Sequence, residues 1–137
     1  MIETRNTRQA AGVLSIFALI HCAIALWHGG AHLSVPVELD PPKMAFVGLV
    51  VVILPLLAAA LLWTKLKKVG VVLYTGSMAA ALVFGIVNHY ILISPDNVTC
   101  VPPGDHRMTF IVSAGFVAGS ELIGTLLGVI ALRRWFN

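Results

Sequence analysis

The sequence predicts an all-α membrane protein of four transmembrane helices with both termini in the cytoplasm. Two observations lead there. Of its 137 residues 58% are hydrophobic and only 11% charged, where a soluble domain carries ~25% charged residues. The apolar residues also gather into four stretches, each near the ~20 residues that a helix needs to cross a bilayer. A chain this small has too little interior to bury so much apolar surface against itself, so lipid must cover the excess. One transmembrane domain is expected.

The four helices are expected at about residues 11–29, 44–64, 70–93 and 109–133, by apolar length. Pro36, Asp40, Pro41 and Pro42 break the chain after the first stretch, and Thr64-Lys65-Leu66-Lys67-Lys68 after the second. Pro95, Pro102, Pro103 and Gly104 break it after the third. Proline and glycine clusters of this kind end helices and turn the chain. Within the second stretch Pro55 should introduce a kink. Every other residue from Ala45 to Leu62 is apolar or glycine, which suggests a strut facing lipid or another subunit.

Basic residues set the expected orientation. Arg5, Arg8, Lys65, Lys67, Lys68, Arg133 and Arg134 fall on one face, and only Lys43 and Arg107 on the other. The positive-inside rule assigns the richer face to the cytoplasm of a plasma or inner membrane. The net charge of +3 is thus a matter of topology, and no nucleic-acid partner is implied. Trp63, Tyr74 and Trp135 are expected at the inner boundary, with Trp27 and Tyr90 at the outer one. Arg5, Arg8 and Ala23-Ile24-Ala25 resemble parts of a signal peptide. We nevertheless read the first stretch as a retained helix, and bulky His21 before Cys22 argues against a lipoprotein site. No disulfide between Cys22 and Cys100 is expected.

A tandem two-helix repeat is suggested by PPKMAFV, starting at Pro41, and PPGDHRMTFIV, starting at Pro102. Twelve residues separate His28 from Pro41, and twelve separate His89 from Pro102. A pseudo-two-fold axis along the membrane normal would then set His28 and His89 at similar depth, near the outer surface. His21 and His32 have only Leu82 and Ile93 as counterparts.

Ionisable groups are costly inside a membrane and usually face inward or mark function. His21, Ala25, His28 and His32 recur at i, i+4, i+7 and i+11, one face of a helix. Gly29 and Gly30 are expected to interrupt that stripe before His32. The third helix brings Gly85, Asn88 and His89 to the same level. The fourth carries Glu121 near mid-membrane and a small-residue seam, Ser120-xxx-Gly124-xxx-Gly128, that allows close packing.

Two chemistries follow. Histidines on separate helices can clasp haem iron or a transition metal, with His28 and His89 as the leading pair and His21 and His32 as further ligand candidates. Ala25 and Gly85 would leave room beside them. A small ion would set the coordinating nitrogens about 3–4 Å apart. The second chemistry is a proton relay of Glu121 with His21, its expected partner by depth. The expected pocket is lined by His21, His28, Asn88 and His89 with Glu121 beneath. GxSxG, HExxH, CxxC and phosphate-binding glycine loops are absent, so hydrolase, zincin, thiol-redox and nucleotide readings lack support. Asn97-Val98-Thr99 matches the glycosylation pattern, a signal of low specificity. The leading functional reading is a metal- or cofactor-binding redox or electron-transfer subunit. The alternatives are an accessory subunit of a membrane complex or a homo-oligomer, and a proton-coupled transporter using Glu121.

Overall fold

In the computed structural model the described residues are 2–35, 37 and 39–136, with backbone alone for 2–5 and 136. They form four helices long and apolar enough to span a membrane, and no strand occurs among them. Helix α1 runs Ile2–Ser34, α2 Pro41–Leu61, α3 Lys67–Ile91 and α4 Arg107–Phe136. The most extensive contact is α3 with α4, followed by α2 with α3 and α1 with α4. α3 is the most enclosed of the four. Val13, Ile16, Leu19, Leu57, Val83, Ile123 and Leu126 stay exposed on the outside, as lipid-facing side chains do.

α1 buries one stripe of Ala11, Leu14, Ala18, His21, His28 and Ala31, spaced by three and four except where the half-buried Ala25 stands between His21 and His28. It does not stop at Gly29 and Gly30, contrary to expectation, but continues through His32 to Ser34. A glycine inside a helix costs ~1 kcal/mol. Leaving the helix in an apolar environment would strand backbone N–H and C=O groups at several kcal/mol each. The second cost is larger, so the helix persists.

α2 starts on Asp40, whose carboxylate accepts from the Lys43 N–H at 2.9 Å, with Pro41 and Pro42 in the first turn where no N–H is needed. From Val47 to Ile53 it widens into a π-helical turn just before Pro55. Pro55 has no N–H for the Val51 carbonyl four residues back, and that carbonyl accepts from His21 Nε2–H instead, at 3.0 Å. The second helix is therefore no featureless strut, because its backbone anchors α1. At its far end Gly70 lets α3 cross closely: a Cβ there would sit 3.0 Å from the Ala58 oxygen and the Leu62 nitrogen.

The larger apolar core lies toward the termini and joins Ala11, Leu14, Ala18, Ala58, Leu62, Val71, Met78 and Ala131. Tyr74 and Trp135 belong to it and face the interior of the bundle. Tyr74 is fully buried within this core. A smaller core of Ala31, Val101 and Phe110 closes the other end, where the α1–α2 and α3–α4 connections run. Between the cores α1 meets α2 chiefly through Leu54–Leu61, so the two helices diverge toward the connection end and leave a wedge. Cys22 and Cys100 are free thiols.

Candidate metal centre

α1 presents His28 and His32 one helical turn apart on its inner face. α3 presents His89 from a second π-helical turn, Val87–Ile91, closed by the Leu92 N–H on the Val87 carbonyl. Such turns recur at functional sites because they re-aim a side chain within an otherwise regular helix. The chain then leaves α3 at Leu92 and folds back, with the Val98 N–H on the His89 carbonyl at 3.0 Å. That return places Asp96 under the imidazoles.

One nitrogen from each of His28, His32 and His89 lies within 4.8 Å of the other two, so the cluster could hold a metal ion. His28 Nε2 and His89 Nε2 are 3.1 Å apart. His89 Nδ1–H donates to the Asp96 backbone carbonyl at 2.9 Å, which leaves its Nε2 as a lone pair. His28 Nδ1 is 2.9 Å from Ser113 Oγ, itself 3.0 Å from the Phe110 carbonyl. The Ser113 hydroxyl has one hydrogen to place. Kept on Phe110, it makes His28 Nδ1 the donor and turns a second lone pair toward His89. Turned to His28, it leaves Nε2–H to bond His89 directly. The first state needs a cation between the rings.

Two further groups find no hydrogen-bond partner among the described residues in either state. His32 Nδ1 is buried without a hydrogen bond, and so are both carboxylate oxygens of Asp96. One of those oxygens lies 3.2 Å from His89 Nδ1 and 3.5 Å from His32 Nε2. Burial pushes the Asp96 carboxyl up, but the adjacent His89, His32 and Lys43 outweigh it and hold it below the ordinary carboxylate range. Phe110 packs on all three imidazoles, with ring centroids 5.2, 4.8 and 5.7 Å from His28, His32 and His89. It leaves them little freedom to turn away.

The histidines, Asp96 and Glu121 line a cavity of about 560 Å3 in the wedge between α1 and α2, with Phe84, Gly85 and Val117 behind. Ala25 and Gly85 both border it, but His21 and Asn88, expected in the lining, do not. Asn88 turns its amide to the Phe84 carbonyl. His21 is fully buried and spends both ring nitrogens elsewhere: Nε2–H on Val51, and Nδ1 beside Ser120 Oγ at 2.9 Å. It has no nitrogen left for Glu121, so the expected pair does not form. Glu121 is 1% exposed, with Oε2 unpartnered and 3.3 Å from where a Cβ on Gly85 would stand.

Sequence reading missed Asp96, Ser113 and Phe110. The only signal for Asp96 is an acidic residue in the turn following His89. Asn97 is also spoken for. Its amide donates to the Leu92 carbonyl, and its oxygen accepts from the Thr99 N–H and hydroxyl, so the glycosylation pattern is a buried turn.

His21 is a helix lock, joining α1 to α2 and α4. His21→Leu should destabilise the fold by ~1–3 kcal/mol, because the Val51 carbonyl and Ser120 lose a buried partner. Thermal unfolding in detergent measures this, and an unchanged midpoint would remove the locking role.

Fold and site together define a four-helix integral membrane protein with a buried trihistidine cluster. Compared with known proteins, the chain matches no family, no curated protein and no solved structure.

Proposed function

We propose that this protein binds one small transition-metal ion in the membrane through His28, His32 and His89, and uses it as a redox or electron-transfer subunit. The observation that carries the reading is the convergence of three buried imidazole nitrogens beside a carboxylate with no hydrogen-bond partner among the described residues. An ion would take up the lone pairs, and its charge would offset Asp96. A carboxylate or carbonyl behind a ligating histidine is the usual outer shell of a metal site, and His89 has both.

A tetrahedral ion with bonds of ~2.0–2.1 Å holds neighbouring nitrogens ~3.3 Å apart, close to the 3.1 Å between His28 and His89. Haem fits less well. Its axial nitrogens stand ~4 Å apart across a flat ring, whereas these two imidazoles meet edge to face with centroids 4.9 Å apart. Three protein ligands also leave a fourth position open toward the cavity, as catalytic rather than structural sites do. The distribution of basic residues supports cytoplasmic termini, which puts the cluster toward the opposite face of the membrane.

The test is a titration of chelator-stripped protein in detergent with Cu2+ and Zn2+, together with metal analysis of the protein as isolated. One equivalent per chain is expected, with multiple nitrogen couplings in the spectrum of the Cu2+ form. Copper or iron in the isolated protein would support the redox role, and zinc would remove it. His28→Ala should lose the ion while His106→Ala, in the exposed loop, keeps it. Binding indifferent to His28 would overturn the site and leave the direct His28–His89 hydrogen bond as its explanation.

A further inference from the structure

The trihistidine cluster occupies only one end of the cavity. Deeper in, Glu121 is buried to 1% exposure with Oε2 lacking any hydrogen-bond partner among the described residues. Between these ends the wall is apolar: Val47 and Val51 of α2, Phe84 of α3 and Val117 of α4. A buried carboxyl oxygen without a partner is expensive. In a space of this size and lining, the economical partner is a bound molecule, since pockets of ~300–1,000 Å3 with a few convergent polar groups are typical small-ligand sites.

The shape of the wedge narrows the class of ligand. α1 and α2 diverge away from Leu54–Leu61, so the cavity lies along a gap between two lipid-facing helices. A molecule dissolved in the membrane can enter there. Its two polar ends must be separated by an apolar body, one reaching Glu121 and the other the imidazoles. The end at Glu121 must suit a group that donates when protonated and only accepts when ionised. A para-dioxygenated aromatic ring meets each condition: its carbonyl form accepts from a carboxylic acid, and its hydroxyl form donates to a carboxylate. We propose that the cavity binds a lipid-soluble quinone or quinol, with one oxygen on Glu121 and the opposite oxygen facing His28, His32 and His89. This deepens the metal reading but rests on the cavity and Glu121, so it stands or falls without an ion.

The experiment uses full-length protein in lipid nanodiscs, stripped of metal, and a short-chain azido-benzoquinone as photoprobe. Labelling should concentrate on the peptides carrying Val47, Val51 and Phe84, and be displaced by unlabelled decyl-benzoquinone. Glu121→Leu should weaken displacement at least tenfold, and Glu121→Gln, which still donates to a carbonyl, should retain most of it. Val47→Phe should block labelling by filling the cavity, and Leu126→Phe, on the lipid face, should not. Labelling spread evenly over lipid-facing residues would overturn the proposal. So would affinity unchanged in folded Glu121→Leu, or displacement by oleate as effective as by the quinone, which would mark an acyl-chain groove. A protein that binds no metal but passes these tests keeps the quinone site and loses the metal one. The reverse result loses the quinone site alone.

Discussion

His89→Ala should abolish measurable ion binding, an affinity loss of at least ~100-fold, and loosen the loop that follows α3. His89 does three things at once. Its Nε2 faces His28 Nε2, its Nδ1–H holds the Asp96 carbonyl at 2.9 Å, and its own carbonyl receives the Val98 N–H. Removing the ring takes away one ligand of three and strands a buried carbonyl and a carboxylate together. Asp96→Asn separates these effects, because the backbone bond to His89 is untouched and only the charge behind the ligands is lost. Its expected cost is ~10–100-fold in ion affinity, the usual range for an outer-shell partner. Titration of both variants, with hydrogen exchange at Asn97 and Val98 as a second readout, distinguishes the two. Lowering the pH should weaken binding in the wild type, since an imidazole must give up its proton to ligate. Equal affinity in wild type and His89→Ala would place the ion elsewhere.

Gly128→Val should be the most damaging single change to the bundle, by at least ~3 kcal/mol, at the upper end of typical overpacking costs. A Cβ at Gly128 would collide with Thr75 Oγ1 and lie 3.0 Å from its Cβ and 3.2 Å from its Cα. Thr75 cannot move aside easily. It is β-branched, and its hydroxyl donates to the Val71 carbonyl at 2.8 Å. Gly124 makes a useful contrast one turn away. A Cβ there would collide with the end of Met78, a flexible thioether that can swing into another rotamer. Gly124→Ala should therefore cost only ~1 kcal/mol. Unfolding in graded denaturing detergent ranks the two, and a Gly128→Val protein as stable as Gly124→Ala would mean that α3 and α4 do not pack through this seam.

Much of the architecture follows from composition alone. In lipid the backbone polar groups must be satisfied inside the protein, by helices or by closed barrels, and apolar stretches of ~20 residues have the length of helices rather than of the ~10-residue strands of a barrel. The turn residues around Pro41 and Pro102 say where those helices are separated. The α1 stripe from Ala11 to His28 is equally local, since helical spacing alone puts its members on one face. What periodicity cannot supply is the partner across that face. His21 and His28 look alike in sequence, seven residues apart on one stripe. One meets the Val51 carbonyl that Pro55 leaves without its helical donor, and becomes a lock. The other meets His89 and becomes part of a cluster.

Asp96 shows the same limit from the loop side. Its position depends on how the chain after Leu92 folds back onto α3, which is a matter of tertiary bonds to His89. The widened turns of α2 and α3 are likewise invisible to a periodic reading, because one extra residue per turn leaves apolar character unchanged while it re-aims the side chains. By itself the sequence determined that the chain is helical, membrane-spanning and lined with histidine on α1, because those properties depend on residues near in the chain and on the solvent around it. Only the tertiary structure decided that His28, His32 and His89 converge, that His21 stands apart and that Glu121 faces a cavity, because those outcomes depend on how separate helices cross.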